Sequence, residues 1–252
     1  AETILSVRHL WVDMPGEAVR DVNLEVREGE ILGIGGLAGQ GKLGIPNGIM
    51  GLYEAGGAVE FAGRTIPLNS PRACLDASLA FVPEDRRGVG LLLDESLAWN
   101  ITFPAMQIQN RFLKKIGPIR WRDETAIRET AEGYLKDLGI KCTGPGQRAG
   151  ELSGGNQQKV CLAKALALNP RLLFVSEPTR GIDVGARALV LDALRRFNRE
   201  KGVTVVMVSS ELEELRQACH RIAIVSGGKI AGVLPASEPS EAFGMLMVSQ
   251  VR

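Results

Sequence analysis

Two glycine-bearing stretches carry residue types suited to gripping an anion. The first is Gly36-Leu37-Ala38-Gly39-Gln40-Gly41-Lys42-Leu43-Gly44, which follows the apolar run 31–34. Glycines let successive backbone N–H groups converge on phosphate oxygens, and Lys42 would neutralise β and γ phosphates. Leu43 breaks the pattern, because it stands where a Ser or Thr hydroxyl would reach Mg2+. The competing reading is a plain glycine-rich turn between a strand and a helix. Gly44, Pro46 and Gly48 fall where that helix should begin. Inside a helix Pro costs ~3 kcal/mol and each Gly ~1 kcal/mol, and Pro46 biases Ile45 away from the α region. A frayed helix with few aligned N–H groups is expected, unless it starts late enough to hold Pro46 in its first turn.

The second stretch is Leu152-Ser153-Gly154-Gly155-Asn156-Gln157-Gln158-Lys159. Ser153 and the two glycines offer a hydroxyl and N–H groups at a helix start, which suits either an anion or an ordinary N-cap. Its place, after a polar insertion and before an apolar strand that ends in Ser176-Glu177-Pro178-Thr179, favours the functional reading. Glu177 is a candidate to polarise an attacking water; the alternative is a solvated acid at a strand end. Trp11 and Met14 are the candidates for stacking on a base, with simple packing on the strands as the preferred reading for Trp11. Arg111, Lys114, Lys115, Arg120 and Arg122 form a basic cluster that reads most simply as a solvated face.

The elements that must position these groups follow from the apolar pattern. Short strands are expected over 4–10, 21–26 and 30–34, a weak helix to about residue 52, a hairpin near residues 58–66 and a strand over 79–82. Residues 83–152 turn polar and helical, with apolar positions at helical spacing over 122–138. Then helix (154–167), apolar strand (172–175), helix (186–201) and apolar strand (204–208) alternate, which implies a mainly parallel sheet covered on both faces. A last hairpin, 221–225 with 229–233, turns at Gly227-Gly228.

At 252 residues and 45% hydrophobic content the chain can bury a large core. Cys74, Cys142, Cys161 and Cys219 are scattered, so a zinc or redox pair is not indicated and a reducing compartment fits. With a formal net charge of +1 and its cations spread out, the chain has no footprint for nucleic acid. No apolar run approaches the ~20 residues that cross a bilayer, so any membrane role is by docking. The first residues, Ala1-Glu2-Thr3-Ile4-Leu5, carry no secretory pattern and no initiator methionine, and read as the start of a piece of a longer chain.

Three stretches in order carry a family resemblance: Val82-Pro83-Glu84-Asp85-Arg86, the Leu152 to Lys159 stretch, and Pro178-Thr179-Arg180-Gly181-Ile182-Asp183-Val184-Gly185-Ala186. With them the chain resembles an ABC transporter ATP-binding domain along nearly its whole length. It is most similar to the second ATPase domain of tandem ATPases in bacterial importers of ribose-like sugars and nucleosides. The resemblance implies an α/β P-loop NTPase fold with a mainly parallel sheet core, an N-terminal antiparallel β subdomain and an inserted helical subdomain. One domain over 1–252 is expected. Residues 1–82 and 160–235 would form the β subdomain and RecA-like core, 83–159 the helical subdomain with the signature, and 236–252 a C-terminal tail.

The resemblance also implies a head-to-tail pair in which each ATP lies between one partner's P-loop and the other's signature. Gly36, Gly39, Gln40, Gly41, Lys42, Leu43 and Gly44 then match the P-loop; Ser153, Gly154, Gly155 and Gln157 match the signature; Glu177 matches the catalytic carboxylate. Departures accompany the match. Leu43 and Ser176 replace the groups that hold and support Mg2+, Ser210 stands at the usual γ-phosphate-sensing His, and Glu84 stands at a Gln position. Neither His9 nor His220 falls where that His belongs. ATP with a weakened Mg2+ site and no assigned metal ligand is therefore expected. The implied enzyme is an ATP hydrolase within an assembly, weak or inactive as an isolated domain. Implied partners are a second ATPase domain on the same or another chain, polytopic permease subunits and, indirectly, a periplasmic or extracellular solute-binding protein, at the cytoplasmic face of the inner membrane. The alternatives are a soluble non-transport ABC ATPase and a non-hydrolysing regulatory module.

Overall fold

The computed structural model describes residues 1–249; positions 250–252 of the expected tail lie outside the described residues. The first elements are β1 (Thr3–Val12), β2 (Val19–Arg27), β3 (Ile31–Gly35), α1 (Gly44–Ile49), β4 (Ala55–Phe61), β5 (Arg64–Thr65), α2 (Pro71–Asp76) and β6 (Leu79–Val82). Then come α3 (Leu97–Gln109), β7 (Leu113–Ile116), β8 (Ile119–Arg122), α4 (Glu124–Asp137) and α5 (Gly154–Leu166). The remainder is β9 (Leu172–Ser176), α6 (Val184–Lys201), β10 (Thr204–Val208), α7 (Leu212–Ala218), β11 (Arg221–Ser226), β12 (Lys229–Pro235) and α8 (Ser240–Val248).

Two compact units divide the chain. One comprises Ala1–Phe81, Arg171–Pro178 and the chain from Leu194 on; the other comprises Val82–Pro170 and Thr179–Ala193. The first unit is built on a ten-stranded sheet in the order β5-β4-β1-β2-β12-β11-β3-β10-β9-β6. β11, β3, β10 and β9 run parallel, and every residue of β3, β9 and β10 is buried, as expected of strands covered on both faces. β1, β2, β4 and β5 pair antiparallel, and β2 alternates buried and exposed positions over most of its length. A single parallel pair, Lys229 with Asp21, joins the two regions. The expected parallel core and antiparallel subdomain are thus parts of one mixed sheet.

α1 is short but real. Pro46 lies in its first turn, where the missing N–H is not needed. A β-carbon on Gly48 would stand 2.2 Å from Val12 Cγ2, so this glycine lets the helix lie directly on β1. The residue that weakens the helix in isolation is the one its packing requires.

In the second unit, side-chain caps start the helices. Ser96 Oγ accepts from Trp99 N at 3.1 Å to open α3, and Asp123 Oδ1 accepts from Ala126 N at 3.1 Å to open α4. That cap sets the start of α4 at Glu124 rather than the expected residue 122. The insertion is also not wholly helical. β7 and β8 form a hairpin turned at Gly117-Pro118, with Gly117 at φ +63°, and four of the five residues of the basic cluster lie on it. α7 and α8 are further elements beyond the sequence expectation, α8 inside the stretch expected to be a tail.

Candidate functional site

β3 ends at Gly35, and residues 36–43 wrap from it into α1. Their backbone N–H groups point inward, but at an anion supplied by the chain itself. Glu17 Oε1 accepts from Gly39 N at 2.8 Å, and Glu17 Oε2 accepts from Gly41 N at 3.0 Å and Leu43 N at 3.2 Å. Gln40 is tied down too: its Oε1 accepts from Gly227 N at 2.8 Å and its carbonyl accepts from Gly228 N at 2.9 Å. Gly44 admits the Glu17 carbonyl, which lies 2.2 Å from where a β-carbon would stand. Lys42, expected to reach phosphates, is 2% exposed, and Leu43 packs against the hydrophobic core.

In the same unit β9 delivers Ser176 and Glu177. Ser176 is fully buried and its hydroxyl has no hydrogen-bond partner. Glu177 turns the chain at φ +49°, donates its N–H to Val208 O at 2.7 Å, and accepts from Ser210 Oγ at 2.6 Å. Mg2+ would need oxygen donors here. Leu43 offers none, Ser176 offers one enclosed hydroxyl, and one Glu177 oxygen accepts from Ser210. Among the described residues no group of three or more His, Cys, Asp or Glu stands together as a metal set.

The 152–159 stretch forms the start of α5 in the other unit. Ser153 Oγ accepts from Asn156 N at 3.4 Å and Asn156 Nδ2 at 2.9 Å, which caps the helix. Gly155 admits Ala186, whose Cβ would lie 3.0 Å from a β-carbon there. Arg86 runs across this start: its Nη1 donates to Arg180 O at 2.9 Å, and its Nη2 lies 2.8 Å from the place of a β-carbon on Gly154. Gln157, a candidate in the same stretch, is 1% exposed and its Nε2 donates to Ala149 O at 3.2 Å. The cause is that α5 is buried from residue 157 to residue 163 without a break, so its polar side chains turn inward. Lys159 likewise donates to Gly139 O at 3.1 Å, and burial holds its ammonium pKa below the usual lysine value.

A β-carbon on Gly56 would lie 2.2 Å from Trp11 Nε1, so the indole covers that glycine on β4, while Met14 joins the core. His220 Nδ1 accepts from Ile31 N at 2.9 Å, and His9 pairs with Asp21 at the surface. Of the basic cluster, Arg122 pairs with Glu124 at 3.0 Å and Lys114 with Asp123 at 3.4 Å. Glu17 and Arg86 are the contributors that sequence reasoning missed in these roles. Glu17 carries no local signal, since it reaches donors 22 to 26 residues away; Arg86 stands in the 82–86 stretch, but its acceptor lies 94 residues away.

Comparison with known proteins gives this geometry a family. A profile described as ABC transporter matches residues 19–180, more than half of the chain. The chain belongs to the ABC transporter family. This ABC domain is 39% identical over 251 residues to a ribose import ATP-binding protein of Rhizobium meliloti (strain 1021), covering 99% of the chain and 47% of that protein. It is 40% identical over 243 residues to a xylose import ATP-binding protein of Moorella thermoacetica, covering 94% and 46%. The ABC domain therefore spans about half the length of the curated relatives it matches. Among solved structures, an ATP-binding cassette of an ABC transporter superposes with a TM-score of 0.80 at 20% identity over 99% of the chain and 100% of that structure. A dimeric cassette bound to ADP and Pi gives 0.75 at 23% identity over 94% and 100%. These establish the ABC ATPase fold.

Proposed function

We propose that this domain is the second of two cassettes in an ATP-driven importer of a ribose-type sugar or nucleoside-like solute, with a degenerate ATP site of its own. In this reading Ser153, Gly154 and Gly155 complete the ATP site of a partner cassette, and the paired ATPase works on polytopic permease subunits at the cytoplasmic face of the inner membrane, fed by a solute-binding protein. The sugar-import relatives and the half-length coverage support the first part. The observation that carries the second is the contrast between the two ends of the chemistry. Leu43, the enclosed Ser176 hydroxyl and the Ser210-bound Glu177 leave little for a metal-bound γ-phosphate, whereas Ser153 caps an intact, glycine-led helix start. The isolated domain then hydrolyses ATP weakly or not at all.

The test is a pair of substitutions in the full assembly. Gly154→Asp puts a carboxylate against a partner's γ-phosphate and is expected to abolish most ATPase activity. Lys42→Ala is expected to do much less. Equal loss from both would sink the asymmetry, and full activity in Gly154→Asp would remove the signature from the mechanism.

A further inference from the structure

Glu17 lies between β1 and β2, outside any motif, and is 8% exposed. Its two oxygens take N–H groups from Gly39, Gly41 and Leu43, alternate residues of one loop converging on one anion. That is the pattern by which a backbone nest receives phosphate oxygens. The surrounding contacts hold the carboxylate in place. The Glu17 carbonyl fills the space beside Gly44, and the Ala18 carbonyl lies 2.7 Å from the place of a β-carbon on Gly41, which sits at φ +110°. Arg20 N and Asp21 N donate to Gly228 O at 2.9 and 3.2 Å, while Gly228 N donates to Gln40 O at 2.9 Å, so segment, loop and β11–β12 turn are stitched together. Gly41 and Gly44 are thereby accounted for by the segment that carries Glu17.

We infer that the 36–44 loop is a self-occupied anion site whose ligand is the Glu17 carboxylate, and that this carboxylate excludes the polyphosphate of a nucleotide. A phosphate oxygen would need the same three N–H groups, and two anions cannot share them. The inference deepens the reading of a degenerate site and rests on that part of it alone. It is independent of whether Gly154 serves a partner.

Equilibrium dialysis of the 252-residue chain against radiolabelled ATP, with Mg2+ and with chelator, tests it. The wild type shows no saturation below the millimolar range. Glu17→Ala and the near-isosteric Glu17→Gln bind at least tenfold more tightly, and adding Lys42→Ala reverses the gain, which places the new binding at this loop. Folding of each variant is checked by circular dichroism. Amide hydrogen exchange of the wild type needs no variant: Gly39, Gly41 and Leu43 exchange slowly without nucleotide and are unaltered by about 1 mM ATP, the upper end of ordinary KM values. Micromolar ATP binding by the wild type, folded variants with no gain, or unprotected amides at these three residues would each overturn the inference. A failure of signature lending shows only in the ATPase rate of Gly154→Asp and leaves these readouts untouched.

Discussion

Ser210 donates its hydroxyl to Glu177 across 2.6 Å, joining the loop after β10 to the left-handed turn after β9. A hydrogen bond to a charged group contributes about 1.5–3 kcal/mol, at the low end where it is partly exposed. Ser210→Ala is therefore expected to lower the unfolding free energy by about 1–2 kcal/mol, read by urea titration. In a double-mutant cycle with Glu177→Ala the two losses fall short of additive. Strict additivity would mean that hydroxyl and carboxylate act independently.

Arg86 bridges Arg180 and the start of α5, and its buried Nε has no hydrogen-bond partner. Removing the guanidinium frees Gly154 and the 180–181 backbone to drift, and a small misplacement of a positioning group can cost up to about 100-fold in rate. On the function proposed above, Arg86→Ala is expected to reduce the ATPase rate of the assembly about tenfold or more while the fold persists. Lys cannot replace the planar fork, so Arg86→Lys does not rescue. A wild-type rate in Arg86→Ala would show that the helix start holds itself.

Two glycine substitutions are expected to move stability in opposite directions. Gly133 sits within α4 with nothing near a β-carbon, so Gly133→Ala should stabilise by about 0.5–1 kcal/mol. Gly48→Ala drives a methyl into Val12 and should destabilise by about 1–3 kcal/mol. Shifts of the same sign in a denaturant titration would contradict the packing described for α1.

Burial pushes the Cys74 thiol up to about 11 and the Cys161 thiol up to about 12, from an ordinary 9.0. Above pH 9 the unfolded chain releases these protons while the folded chain keeps them, so each thiol lowers stability by about 1.4 kcal/mol per pH unit until its folded pKa is reached. Below pH 9 they contribute no slope. Lys164 acts the other way: burial lowers its pKa, so the folded chain loses that proton first and gains stability as pH rises towards the ordinary lysine value. Cys161→Ala removes one of these thiols, and its stability curve should be flatter than wild type between pH 9 and about 12. Parallel curves would show that the Cys161 thiol does not stay protonated in the fold.

The parts of this molecule that were legible are those whose cause is local. β9 and β10 announce themselves as short, wholly apolar runs, and the 154–167 helix by a serine cap and an Ala- and Leu-rich body. β7–β8 was hidden because its Gly117-Pro118 turn sits in a charge run that reads as a solvated face. At Gln157 the sequence offers only a polar residue beside a glycine-led helix start, and its hydrogen bond to Ala149 emerges only with the burial of α5. Glu17 was invisible for a different reason. An isolated acid in a connecting loop has no pattern, and its meaning arises only when residues 39–43 come to meet it.

The sheet that carries the loop also sets an order of assembly. β3 lies between β11 and β10, the 36–43 loop is pinned through Gln40 by Gly227 and Gly228, and Arg221 clamps Glu30 across 191 residues. Such distant pairings form slowly, because loop closure precedes their reward. During synthesis β3 must therefore wait for the chain to extend through Arg221, where β11 begins, before it finds both neighbours. Through that interval β1 and β2 can pair with each other, but β3 has both edges open until β10 (Thr204–Val208) is made and one until β11 follows, which exposes it to a neighbouring nascent chain.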